Sequence, residues 1–126
     1  MPADARPPAI LALLARGEPL AVAMASVREA GMAVEVVHDA AAARGAFFRS
    51  GGHDCLVIGP TVARDLAAAV AATLQAVDPD VSIANFGPPL AAAPRPTRVV
   101  RLHGLHPASR AGVGALLRFL RTLRRT

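Results

Sequence analysis

The sequence predicts an α/β domain in which a parallel sheet lies between two layers of helices. Short apolar segments alternate along the chain with longer segments of helical spacing, an order typical of strand–helix–strand units. The stretch Cys55–Ile58 is wholly apolar and is closed by Gly59-Pro60, as expected of a strand buried on both faces. A chain of 126 residues is long enough to bury such a core as a single domain.

The elements are expected to follow one another regularly over most of the chain. Five strands are predicted at residues 9–14, 32–37, 55–58, 81–86 and 98–102, after a flexible lead-in over residues 1–8. Four helices are predicted at residues 19–30, 40–50 and 62–77 and from residue 107 or 109 onward. Asp39 and Thr61 are expected to cap the second and third of these helices.

One connection departs from this alternation. Residues 87–97, between the fourth and fifth strands, are rich in proline, which leaves room for one turn of helix at most. We therefore expect a Pro-rich loop in place of a helix. Apolar sheet surface near Ile83, Val100 and Leu102 then has to be covered by Leu90 and this loop, or by another chain.

Charge is distributed unevenly along the chain. All 14 basic residues are arginine, and the net charge is +5. No acidic residue follows Asp80, and the predicted last helix carries arginines on its outer face and at its end, namely Arg110, Arg118, Arg121, Arg124 and Arg125. Three interpretations remain: a solvated helix face, a docking surface for an acidic protein, and a nucleic-acid surface. The absence of Tyr and Trp for base stacking disfavours the last of them.

The sequence predicts no metal or redox site. The lone Cys55 lies within the buried strand and is expected to be a small core residue. The four histidines, His38, His53, His103 and His106, do not have the spacing of a ligand set. No apolar run is long enough to cross a membrane, so we expect a cytoplasmic protein. No cofactor is expected. Gly112 and Gly114, near the start of the last helix, permit either close packing or the approach of an anion.

The order and lengths of these elements resemble the receiver domain of bacterial two-component response regulators. The resemblance covers about residues 9–123. It depends on Glu18-Pro19 after the first strand, Glu29-Ala30-Gly31 closing the first helix, the segment 54–60 and the fourth strand at residues 80–85. It implies a three-layer, flavodoxin-like fold with a five-stranded parallel sheet of order 2-1-3-4-5, here with the fourth helix missing or replaced by the Pro-rich loop.

The same resemblance implies that the chemistry of receivers is absent. Receivers bind magnesium with acidic residues after the first strand and accept a phosphoryl group on an aspartate after the third. A hydroxyl residue ends their fourth strand and a lysine their fifth. The corresponding positions here are Arg16 and Gly17, with Glu18 nearby, followed by Gly59, Asn85 and His103. Magnesium requires oxygen ligands, and aspartyl phosphate requires an acceptor carboxylate, so we expect neither a metal site nor an enzyme.

The function predicted from these observations is that of a phosphorylation-independent pseudo-receiver, a protein-interaction or dimerisation module in bacterial signalling. The expected surface comprises the fifth strand, the last helix and the loop 87–97, with the residues Leu90, Val100, Leu102, Leu105, Arg118 and Arg121. One alternative is a flavodoxin-like domain that binds a small ligand, with Arg16, Asn85 and His103 around an anion. Another is nucleic-acid binding through the basic C-terminal half.

Overall fold

The structure is a computed structural model that describes residues 8–49, 52–90, 99–102, 105–106 and 109–123. Five strands and four helices are present in this part of the chain. In chain order they are β1 (Ala9–Leu13), α1 (Leu20–Glu29), β2 (Ala33–Val37), α2 (Ala40–Arg49), β3 (Cys55–Ile58), α3 (Arg64–Val77), β4 (Ser82–Asn85), β5 (Val99–Arg101) and α4 (Arg110–Arg121). No helix in these ranges has the length and apolar character needed to cross a membrane.

The sheet confirms the predicted fold class. All strand pairs are parallel, and the strand order is β2-β1-β3-β4-β5. Helices α1 and α4 pack on one face of the sheet, and α2 and α3 pack on the other, which gives the three layers of a flavodoxin-like fold. The central strand β3 is buried along its whole length, as its uninterrupted apolar sequence predicts.

Side chains of the central strands alternate between the two layers of helices. Ile10 of β1 and Val57 of β3 face α1 and α4, whereas Leu11 and Leu56 face α2 and α3. All four are fully buried. Because both faces of the sheet are covered by helices, no charged or amide side chain interrupts β1 or β3.

The predicted helix starts are right for α2 and wrong for α3. The Asp39 side chain accepts a hydrogen bond of 2.7 Å from the Ala42 N–H, and Asp39 therefore caps α2 as predicted. Thr61 does not cap α3, which begins three residues later at Arg64. The N-cap position is Ala63, and no side chain caps the helix there. Thr61 instead lies in the loop between β3 and α3, where its N–H donates to the Glu18 carboxyl group.

The apolar surface expected near Ile83, Val100 and Leu102 is covered by the chain itself in the described residues. Ile83 and Leu102 are buried, with exposed fractions of 1% and 3%. They also lie on opposite faces of the sheet, because Ile83 packs with the α2–α3 layer and Leu102 with the α1–α4 layer. Leu90 packs against the same layer as Ile83 and contributes to its cover.

The ends of two predicted segments lie outside the described residues. Within the predicted loop 87–97, residues 87–90 contain no helix, and residues 91–98 are not described. Of the predicted lead-in 1–8, the structure describes Pro8 alone, which is buried.

Candidate functional site

The candidate site is the edge of the sheet where β1, β3 and β4 end. Open parallel sheets commonly place ligands and catalytic groups at this carboxyl edge. The strands end side by side, since Leu13 is paired with Ile58 and Ile58 with Asn85. Pairing continues one residue beyond β3, where the Gly59 N–H donates to the Leu13 carbonyl oxygen at 3.0 Å. Gly59 is therefore fixed at the middle of this edge.

The side chain of Glu18 fills the space above Gly59. Its Oε1 accepts a hydrogen bond of 2.7 Å from the Ala15 N–H, and its Oε2 accepts one of 3.3 Å from the Thr61 N–H. Only 5% of Glu18 is exposed. A Cβ atom placed on Gly59 would overlap both carboxyl oxygens and the carbon between them. A residue larger than glycine at position 59 is thus incompatible with Glu18 in this position.

Local sequence explains how Glu18 reaches the middle of the sheet edge. Gly17 has a φ of +76°, a left-handed conformation that glycine adopts without a steric penalty. The Glu18 N–H donates to the Ala15 carbonyl oxygen, which closes a turn directly after β1. Pro19 follows in helical conformation and starts α1. The turn directs the Glu18 side chain back over the sheet and leaves Arg16 exposed.

Asn85, at the end of β4, uses its side chain to hold the next turn. Its Oδ1 accepts a hydrogen bond of 2.8 Å from the Gly87 N–H, and its Nδ2 donates one of 2.9 Å to the Pro88 carbonyl oxygen. Asn85 is 2% exposed. Both ends of the amide are engaged within the chain, so Asn85 presents no open group to a ligand.

The structure describes two of the three residues of the anion-binding alternative. Arg16 is exposed and Asn85 is buried, and His103 lies outside the described residues. No group of three His, Cys, Asp or Glu side chains in the described ranges is arranged to hold a metal ion. The group that does reach the centre of this edge is the Glu18 carboxyl.

Sequence reasoning places Glu18 close to the site but does not reveal that it fills the site. The contact joins residues 43 positions apart, and no local pattern encodes it. Two features of the sequence together indicate this contact. A glycine ends the central strand, and an acidic side chain long enough to reach it follows the neighbouring strand.

The predicted interaction surface is divided between buried and exposed residues. Leu102 is buried, and Val100 and Leu90 are half-buried against the core. Leu105 is exposed. Arg118 and Arg121 are exposed as well, so the polar part of the predicted surface is accessible and most of its apolar part is not.

Helix α4 presents a cationic outer face. Leu116 and Leu120 on its inner side are fully buried, whereas Arg110, Arg118 and Arg121 are exposed. Within the part of the chain that the structure describes, none of these three arginines forms an ion pair. The helix is amphipathic, and its apolar side packs on the sheet while its arginine side is exposed.

The lone cysteine is a structural residue. Cys55 is fully buried, and burial raises the pKa of its thiol far above the range in which a thiolate forms. This confirms the expectation that Cys55 is a core side chain. Next to it, the Asp54 carboxyl accepts a hydrogen bond of 2.8 Å from the Ala9 N–H, at the start of the strands and away from the candidate site.

His53 is buried between β2 and α2, where it is surrounded by charged and aromatic groups. Its Nε2 lies 3.5 Å from Oε1 of Glu35, and its ring stacks on Phe47 at a centroid distance of 5.8 Å. Arg49 pairs with the same Glu35 carboxylate at 3.0 Å. Burial lowers the pKa of His53, although Glu35 and, less strongly, Asp54 act to raise it.

This environment makes stability depend on pH. With the pKa of His53 lowered in the folded state, the unfolded chain takes up a proton first as the pH falls through about 6.5. The free energy of unfolding is expected to fall from about pH 7.5 to about pH 5.5, as measured by urea unfolding at each pH. His53→Asn should reduce this slope. The control His38→Asn, at an exposed histidine, should retain it, and equal slopes in wild type and His53→Asn would contradict the assignment.

Comparison with the models of known protein families, with curated proteins and with solved structures finds no match to this chain. The class of protein is therefore defined by the strand order of the sheet and by the residues at its carboxyl edge. It is a flavodoxin-like α/β domain whose carboxyl edge is filled by a side chain of the same chain.

Proposed function

We propose that this protein is a phosphorylation-independent pseudo-receiver that acts as a protein–protein interaction module in bacterial signalling. The observation that carries the proposal is the position of Glu18 over Gly59. A receiver has its phosphoacceptor carboxylate at the end of β3, and here a glycine stands there beneath a carboxyl group from another loop.

The chemistry of the edge supports the absence of phosphoryl transfer. Gly59 has no nucleophilic side chain, and aspartyl-phosphate formation requires one. The Glu18 carboxyl is no substitute acceptor, because both of its oxygens accept backbone hydrogen bonds and the group is almost fully buried. A phosphoryl group that approached Glu18 would have to displace these two hydrogen bonds, and the end of β3 would stand in its way.

The outer face of α4 supports a partner of acidic character. A twofold homodimer through this face would place the same arginines opposite one another, and like charges in contact repel. Arginine is suited to an acidic partner, since its guanidinium forms paired hydrogen bonds with carboxylates. We therefore assign the face with Arg110, Arg118 and Arg121 to an acidic protein rather than to a second copy of this chain.

Phosphodonor labelling tests the proposed function. The full chain is incubated with acetyl phosphate and Mg²⁺, and its intact mass is measured before and after treatment with mild base. We expect an unmodified mass throughout. An increase by one phosphoryl group that is stable in acid and lost in base would show an acyl phosphate and refute the proposal.

Sedimentation of the same preparation tests the choice of partner. The wild-type chain is expected to sediment as a monomer. If the wild-type chain is a dimer and Leu105→Asp dissociates it, the proposal of an acidic partner is wrong and the partner is a second copy of this chain. Leu105 is the suitable position because it is exposed, whereas an aspartate at the buried Leu102 would disturb the core.

A further inference from the structure

Two backbone N–H groups from separate loops converge on one carboxyl group at the candidate site. Ala15 lies in the loop after β1, and Thr61 lies in the loop after β3. We propose that these N–H groups form an anion-binding site whose ligand is built into the chain, the carboxylate of Glu18. This inference deepens the proposed function, and its regulatory meaning rests on that function. Because Glu18 always occupies the N–H site, the sheet edge needs no phosphoryl group or metal ion.

Glu18 does not act as an ordinary cap of its own helix. The N-cap residue of α1 is Pro19, and no side-chain cap hydrogen bond is formed there. Instead, Oε2 of Glu18 reaches the Thr61 N–H, 43 residues away. The side chain thus connects two loops that sequence keeps far apart.

Backbone N–H groups, and not charged side chains, hold the Glu18 carboxylate. No Arg or His in the described residues forms an ion pair with Glu18. The hydrogen bonds from Ala15 and Thr61 are therefore its polar partners, and the bond of 2.7 Å from Ala15 has the short length of a charge-assisted hydrogen bond. A site formed by N–H groups favours an anion.

The group that the chain places in this site is a carboxylate. The Glu18 carboxyl lies so close to Gly59 that even a methyl group on that glycine would overlap it. The N–H site is therefore filled by a carboxyl group in direct contact with the end of β3. The proposed ligand class is a small monocarboxylate, which Glu18 supplies in the native chain.

Because Glu18 always occupies the site, it would fix the loop after β1 and the loop after β3 relative to each other. In the native chain Glu18 bonds to both loops at once, so that their spacing does not depend on a phosphodonor or a metal. Removing the side chain should loosen the loops and leave an empty site of carboxylate size. An external carboxylate should then bind and partly restore stability.

The experiment compares thermal unfolding in sodium acetate and in sodium chloride at matched concentration and pH. Glu18→Ala is the test variant, and Glu29→Ala, at an exposed position at the end of α1, is the control. We expect Glu18→Ala to lower Tm by about 5–10 °C in chloride. Acetate should raise the Tm of this variant by about 3 °C or more relative to the acetate effect on wild type and on Glu29→Ala. The same acetate response in all three proteins would overturn the proposal.

Glu18→Gln keeps the test decisive if Glu18→Ala does not fold. Glutamine preserves the shape but has one acceptor oxygen instead of two, so either Ala15 or Thr61 loses its partner. Hydrogen exchange followed by NMR should show at least one of these amides exchanging about tenfold faster than in wild type. Unchanged exchange at both amides would refute the built-in ligand. Phosphoryl labelling of the wild type would instead refute the proposed function and would leave the acetate result standing.

Discussion

Replacing Gly59 with aspartate should destabilise the protein by about 2–3 kcal/mol rather than create a phosphorylation site. The substitution restores the residue type that a receiver has at this position. Its Cβ, however, would overlap the Glu18 carboxyl, and two carboxylates would share one buried site. Either Glu18 is displaced, with the loss of its hydrogen bonds to Ala15 and Thr61, or the end of β3 shifts.

Urea unfolding measures this loss, and two further variants show its cause. Gly45→Asp is the matched control, because a Cβ at Gly45 in α2 has only the Arg49 side chain nearby, at 3.7 Å. It should change the free energy of unfolding by about 1 kcal/mol or less. In the double variant Glu18→Ala with Gly59→Asp, the loss should be smaller than the sum of the single losses by about 1.5 kcal/mol or more. A Gly59→Asp protein as stable as wild type would contradict the observed position of Glu18.

The second large effect is expected at the start of α4, where two glycines should respond in opposite directions. A Cβ at Gly112 would overlap the carbonyl oxygen of His106 and come within 3.3 Å of Oγ of Ser109. Ser109 caps the helix by accepting a hydrogen bond of 3.0 Å from the Gly112 N–H. Gly112→Ala should therefore lower the free energy of unfolding by about 2–3 kcal/mol.

Gly114→Ala is the matched control within the same helix. A Cβ there meets only the Arg118 side chain, at an ordinary 3.6 Å. Alanine should raise the free energy of unfolding by about 0.5–1 kcal/mol, since it favours the helix over glycine. Equal effects of the two substitutions would show that helix propensity alone governs this segment. Of the two roles that the sequence allowed, close packing is observed at Gly112 and is not observed at Gly114.

The parts of the fold that depend on local patterns were predictable. The apolar run Cys55–Ile58 is a buried central strand, and Asp39 caps α2, as the sequence indicates. Strand order was also predicted, but through the resemblance of the whole layout to a known domain rather than through any single motif. Hydrophobic periodicity identifies elements because burial repeats along a strand or helix.

The parts that depend on long-range contacts were not predictable. Thr61 has the residue type of a helix cap, but its N–H is bound to Glu18 and the helix begins later. Ile83 and Leu102 were expected to line one apolar surface, and they lie on opposite faces of the sheet instead. In each case the structure depends on a contact between residues far apart in sequence, and the spacing of residue types along the chain does not reveal that contact.

The most direct test of the central claim is detection of the hydrogen bond between the Ala15 N–H and the Glu18 carboxyl. The claim is that a carboxyl group of the chain itself occupies the position that a receiver uses for chemistry. NMR can measure a scalar coupling across a hydrogen bond, and the bond of 2.7 Å is short enough for this purpose. We predict a coupling between the Ala15 amide nitrogen and the side-chain carboxyl carbon of Glu18. Absence of the coupling, together with exchange of the Ala15 amide as fast as in an unfolded peptide, would contradict the claim.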